Sequence, residues 1–120
     1  MRPEERDAAL LWDMLDAARA VRDFTLGVTF EVYAADRRVQ FAVERGLEIL
    51  GEAARHVSAE VRAAHPEIPW SGIVGQRNVL AHEYGEIKQE RMWAVVTDRI
   101  PDLIARLEPL VPPPPELDST

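Results

Sequence analysis

Four side chains in the stretch RNVLAHEYG, residues 77–85, could together grip a phosphate and move a proton: Arg77, Asn78, His82 and Tyr84. On a helix turning about 100° per residue, with Arg77 set at zero, Tyr84 falls near about −20°, Ala81 near about 40°, Asn78 near about 100° and His82 near about 140°. Asn78 therefore stacks with His82 at i, i+4, and Arg77 with Tyr84 at i, i+7. Small Ala81 lies between the two rows. Val79 and Leu80 take the remaining side and can face a core. The polar groups share one broad arc with nothing bulky in its middle.

Those residue types suit a definable task. An arginine keeps its charge and offers a fixed fork of donors to a phosphate. A histidine can give or take a proton near neutral pH. An asparagine can orient an imidazole or a substrate oxygen. Cleavage of RNA through the 2′-hydroxyl needs a base and an acid, and one imidazole cannot easily serve both ends. A two-fold dimer that apposes two arcs would supply both.

The spacing leaves structural readings open beside this one. His82 could be capped by a carboxylate, and Arg77 could pair with a glutamate such as Glu52. No metal site is expected: His56, His65 and His82 contain no i, i+4 pair, and there is no cysteine. His56 near a helix end reads as a dipole partner. His65 before Pro66 reads as a loop residue. Trp12, Trp70 and Trp93 read as core anchors. Arg37 and Arg38 read as a solvated face that could border an RNA path.

The elements that must position the arc are helical throughout. Apolar positions Ala8, Leu11, Trp12, Leu15, Ala18 and Val21 recur at helical spacing, behind Pro3 and ahead of Gly27, which suit a helix start and stop. A short helical piece covers about Phe30–Ala34. Asp36 caps the next helix, whose seam runs Val39, Val43, Gly46, Leu50, Ala53, Val57. Gly46 and Gly51 leave room for a neighbouring helix. Ser58 caps a short helix that ends before Pro66. The linker HPEIPWSG follows, and Ser71 is expected to cap a helix from about Gly72 to Tyr84 that stops at Gly85. A last helix spans about Lys88–Leu110, kinked or divided at Pro101. No segment alternates like a strand. The expected architecture is all-α: an up-and-down bundle of about five to six helices over residues 1–110, then a proline-rich tail over 111–120.

The chain has 120 residues, enough for one domain with its own core. Its formal net charge of −7 argues against a broad basic face that coats nucleic acid, though not against a local site for one phosphate. The absence of cysteine rules out disulfides, and with no signal peptide in view it points to the cytoplasm. No apolar run is long enough for a bilayer.

At these residues the chain resembles a known family. RNVLAHEY fits the pattern R-x4-H-x-Y of the HepT-like branch of the HEPN superfamily. The segments GLEILGEAARHVS, PEIPWSGIVGQRNVLAHEYGEI and MWAVVTDRIPDLIARLEPL resemble the family's pattern in the same order, over roughly residues 5–110. Gln76 departs from it, being polar where an apolar residue is common. The resemblance implies an all-helical homodimer that acts as the toxin of a type VII toxin–antitoxin pair, a metal-independent endoribonuclease without cofactor whose dimer cleft joins two copies of the motif. It implies that Arg77 and His82 are catalytic, with Asn78 in support. It further implies that Tyr84 is adenylylated by an MntA-like minimal nucleotidyltransferase, the cognate antitoxin. The alternative is a non-catalytic HEPN module that binds such a nucleotidyltransferase.

Overall fold

The computed structural model describes residues 2–82 and 88–111, apart from the side chains of Val79, Ala81 and His82. The expected all-α bundle is what forms. In chain order its helices are α1 (Pro3–Thr25), α2 (Phe30–Ala35), α3 (Arg37–His56), α4 (Ala59–Ala64), α5 (Trp70–His82), α6 (Gln89–Ala94) and α7 (Ile100–Leu107), with a π turn over Val95–Arg99 and a closing 3-10 turn over Glu108–Leu110. Because α6, the π turn and α7 are continuous, they act as one long helical run.

Local chemistry sets the helix ends. Pro3 opens α1 with Glu4 and Glu5 in its first turn, which suits the positive end of the helix. After Thr25 the chain turns at Gly27, whose φ of 75° is the left-handed region that glycine adopts without strain. Thr29, Asp36 and Ser58 each accept backbone N–H groups at the starts of α2, α3 and α4. Asp7 on α1 reaches the start of α4, accepting from the Ser58 N–H at 2.9 Å and from its hydroxyl at 2.8 Å.

Helices α1 and α3 run antiparallel, since Asp7 meets Ser58 near one end and Val21 meets Gly46 nearer the other. Between them Leu11, Met14, Leu15, Ala18 and Val21 bury against Val43, Leu47, Leu50 and Ala54. Each such aliphatic side chain contributes about 1.5–3 kcal/mol by leaving water. Ile100, Leu103, Ile104 and Leu107 bring α7 onto α1 and close the core.

Three expectations need correction. Trp12 is not a core anchor: it is 38% exposed, because the buried side of α1 centres on Leu11, Met14, Leu15 and Ala18 and leaves position 12 at its edge. Trp70 is buried, and its indole N–H donates to the His65 carbonyl at 2.9 Å; Trp93 is half-buried against Tyr33. Ser71 does not cap α5. The helix already begins at Trp70, and the Ile73 N–H bonds the Pro69 carbonyl at 3.0 Å, so Ser71 sits inside the first turn. The last helix is neither kinked nor split at Pro101. Proline has no N–H to give the carbonyl four residues back, and the run absorbs this through the π turn, in which the Ile100 N–H reaches the Val95 carbonyl. The expected end of α5 near Tyr84 and Gly85 lies outside the described residues, as does the proline-rich stretch beyond Val111.

Candidate active site

Arg77 lies on the side of α5 that meets α3, and Gly51 makes that meeting possible. A Cβ at Gly51 would overlap the Cβ of Arg77 and come within 3.0 Å of the Ile73 carbonyl oxygen. The close approach anticipated at Gly51 is therefore present, and it carries the Arg77 side chain across α3 toward the next residue, Glu52.

The Arg77 guanidinium stands between two partners. Its Nη2 is 3.0 Å from Glu52 Oε1, and its Nη1 donates to Asn78 Oδ1 at 3.2 Å. The contact with Glu52 has the distance of an ion pair but not the angle of a hydrogen bond, since that oxygen and Arg77 Nε are both buried without a hydrogen-bond partner among the described residues. The side chain is 23% exposed, so the group is partly desolvated yet still open to solvent. A buried donor left unfilled costs about 1–3 kcal/mol. The guanidinium thus keeps donor capacity that the fold does not use.

Glu52 gathers further charge. His56 Nε2 lies 3.0 Å from its Oε2, and Arg55 Nη2 lies 3.8 Å from the same oxygen. The hydrogen bond from His56 is the largest influence holding the Glu52 carboxyl below the usual carboxylate range; the positive fields of Arg55 and Arg77 act the same way, and partial burial opposes them. Around this cluster a cleft of about 300 Å³ opens between α1, α3 and α5, with Asp13, Arg45 and Ile49 on its walls.

Of the residues singled out in the sequence, Arg77 and Asn78 are brought into contact. Leu80 is buried, as its place on the helix requires. His82 is the last residue of α5; its side chain, and Tyr84 entirely, lie outside the described residues. Glu52, named in the sequence only as a possible partner for Arg77, is that partner, though half-exposed rather than buried. The helix-end position of His56 holds, and its contact with Glu52 adds a role that i, i+4 spacing within GEAARH could have signalled. Arg38 is a solvated arginine, and Arg37 rests over the Phe41 ring at 5.2 Å. Among the described residues no helix is long and apolar enough to cross a membrane.

Comparison with known proteins places relatives around this geometry. Residues 14–110 match the family described as ribonuclease HepT-like. The "Probable ribonuclease HepT" of Thermococcus cleftensis is 36% identical over 100 residues, spanning 83% of this chain and 91% of that one. The "Putative RNase MJ1380" of Methanocaldococcus jannaschii is 34% identical over 100 residues, spanning 83% of this chain and 92% of its own length. No solved structure matches the chain.

Proposed function

The chain belongs to the HepT-like ribonuclease family, and from that premise we propose that it is a metal-independent endoribonuclease toxin whose site is completed by a second copy of itself. The observation that carries this reading is the Arg77 guanidinium, held at 3.0 Å from Glu52 in a partly open cleft with its Nε unfilled. An arginine kept for packing alone would spend its donors within the fold.

In the proposed reaction Arg77 binds the non-bridging oxygens of the scissile phosphate and offsets the charge that grows on them. A His82 imidazole accepts the proton of the ribose 2′-hydroxyl. The 2′-oxygen attacks phosphorus, the bond from phosphorus to the 5′-oxygen breaks, and the His82 of the second copy protonates that leaving oxygen. The products carry a 2′,3′-cyclic phosphate and a 5′-hydroxyl. Asn78, bonded to Arg77, helps fix the direction of the guanidinium. In the same proposal an MntA-like nucleotidyltransferase silences the toxin by adenylylating Tyr84: two residues beyond His82 in the chain, an added phosphate and base would compete with RNA for Arg77.

A second reading, a non-catalytic partner of a nucleotidyltransferase, is favoured by one observation: Glu52 already offers Arg77 a counter-charge. Purified protein incubated with RNA in EDTA separates the two. Wild type is expected to cleave, and Arg77→Ala and His82→Ala, shown to be folded, are expected to lose roughly 10²–10³-fold in rate. Unmodified wild type that leaves RNA intact would instead establish the binding module.

A further inference from the structure

The groove between α4 and α5 differs in charge from the chain around it. The protein carries 21 acidic side chains against 14 basic ones. Yet this groove, about 780 Å³ in volume, has Arg55 and Arg62 on its wall and no carboxylate among its described lining residues. Its size falls within the range of about 300–1,000 Å³ typical of ligand sites.

Its floor is a helical stripe. Trp70, Val74 and Asn78 follow one another at steps of four along α5, with Gly75 beside them. The indole of Trp70 is locked by its bond to the His65 carbonyl at 2.9 Å. The stripe ends at Asn78, whose side chain accepts from Arg77. One end of the groove therefore opens at the candidate active site.

Arg62 supplies the second observation. Among the described residues it makes no hydrogen bond or ion pair, and its Nε is buried without a partner. A merely solvated arginine would keep that nitrogen in water. Arg55 is only partly engaged, at 3.8 Å from Glu52. Two cations, at least one of them unspent, face a channel that leads to a third at Arg77.

We propose that this groove is a phosphodiester track: it holds the single-stranded RNA next to the scissile linkage, with Arg62, assisted by Arg55, on a backbone phosphate upstream or downstream of the one at Arg77. The inference rests on the ribonuclease reading. Contacts of this kind grip backbone rather than bases, so the track favours chain length over sequence.

The test uses the full chain and two substitutions that leave the catalytic groups in place. Arg62→Gln removes the charge. Gly75→Leu plugs the groove; a Cβ at Gly75 meets nothing within 4 Å, so the added side chain has room on the helix. Binding of a fluorescent 12-nucleotide 2′-O-methyl RNA, which lacks the attacking hydroxyl, is followed by anisotropy over a salt series. Cleavage of a dinucleoside monophosphate, too short to enter the track, is measured alongside. Each variant is expected to bind the 12-mer about tenfold or more weakly. Arg62→Gln is expected to lower the slope of log Kd against log salt by about 0.7, the value for one single-strand phosphate. Dinucleotide cleavage is expected to stay at the wild-type rate. Should wild type bind the 12-mer while Arg62→Gln matches it in affinity and slope, the track is overturned and the ribonuclease stands. Loss of dinucleotide cleavage in Arg62→Gln would also overturn it, by showing a structural role. Wild type that neither binds nor cleaves overturns both readings together.

Discussion

Arg77 passes over α3 at Gly51, and the two backbones come so close there that a Cβ on residue 51 would fall on the Cβ of residue 77. The contact involves the root of the arginine side chain, which cannot swing away as a chain end could. Gly51→Ala is therefore expected to destabilise the protein by about 1–3 kcal/mol through overpacking, although alanine alone would favour the helix by about 1 kcal/mol. Chemical denaturation measures the first effect. RNA cleavage at a temperature where the variant is folded should fall as well, because α5 must shift to relieve the overlap. At Gly46 the obstacle is the Val21 γ-methyl, so Gly46→Ala should be largely rescued by Val21→Ala, whereas shortening Arg77 cannot rescue Gly51→Ala.

Glu52 gives an acid-side signature. Its carboxyl is held below the usual range in the folded protein, chiefly by His56. A depressed carboxyl stabilises the folded state at pH values above its unfolded value of 4.5, and that contribution disappears as pH falls through the folded value. Wild type should therefore exceed Glu52→Gln in stability at neutral pH, and the two should converge below about pH 4.5. Thermal melts at matched pH values measure it. A gap that stays constant down to the acid limit would refute the assignment.

Tyr33 works at the opposite end of the scale. Its hydroxyl donates to the Gln89 side chain, whose amide in turn donates to Glu44 Oε2 at 3.1 Å. Burial, and then the negative charge of Glu44, push the phenol up from its ordinary value of 10.0. A raised phenol stabilises the fold below that value, and the contribution is lost as pH climbs above it, because only the unfolded chain ionises freely. Wild type is expected to lose stability above about pH 10, while Tyr33→Phe, less stable at neutral pH, shows a flatter alkaline limb.

Asp7 ties the start of α4 to α1 through two hydrogen bonds to Ser58. Asp7→Ala should cost about 1–3 kcal/mol, the range for bonds to a charged acceptor. Ser58→Ala loses one of the two bonds and the cap on Val61. Urea titration of the single and double variants is expected to show less than additive losses, since both changes dismantle the same junction.

Much of this fold can be read from side chains that act on their own neighbourhood. Asp36 and Ser58 announce helix starts because a short oxygen three residues ahead of free N–H groups has a local job. Ser71 carries the same signal and misleads, because Pro69 already supplies the first acceptor. Trp12 misleads for another reason. A helical wheel gives the width of an apolar face, not which edge of it the next helix covers. Arg77 and Asn78 were legible from type and spacing, and so was the close approach at Gly51. The basic groove was not: Arg62 and Gly75 are thirteen positions apart on different helices, and only the tertiary fold sets them side by side.

The π turn over Val95–Arg99 has a bearing on the whole C-terminal run. It holds one residue more than an α turn would, and so sets the rotation at which everything downstream emerges. Take that residue out, and α7 would revolve by about 100°. Leu103 and Leu107 would leave the interior and Arg106 would swing toward it. The count of residues between the aromatic cluster at Trp93 and the final turn is thus fixed more tightly than their identity: exchanges along the stretch can be absorbed, whereas a single deletion would turn the closing helix inside out.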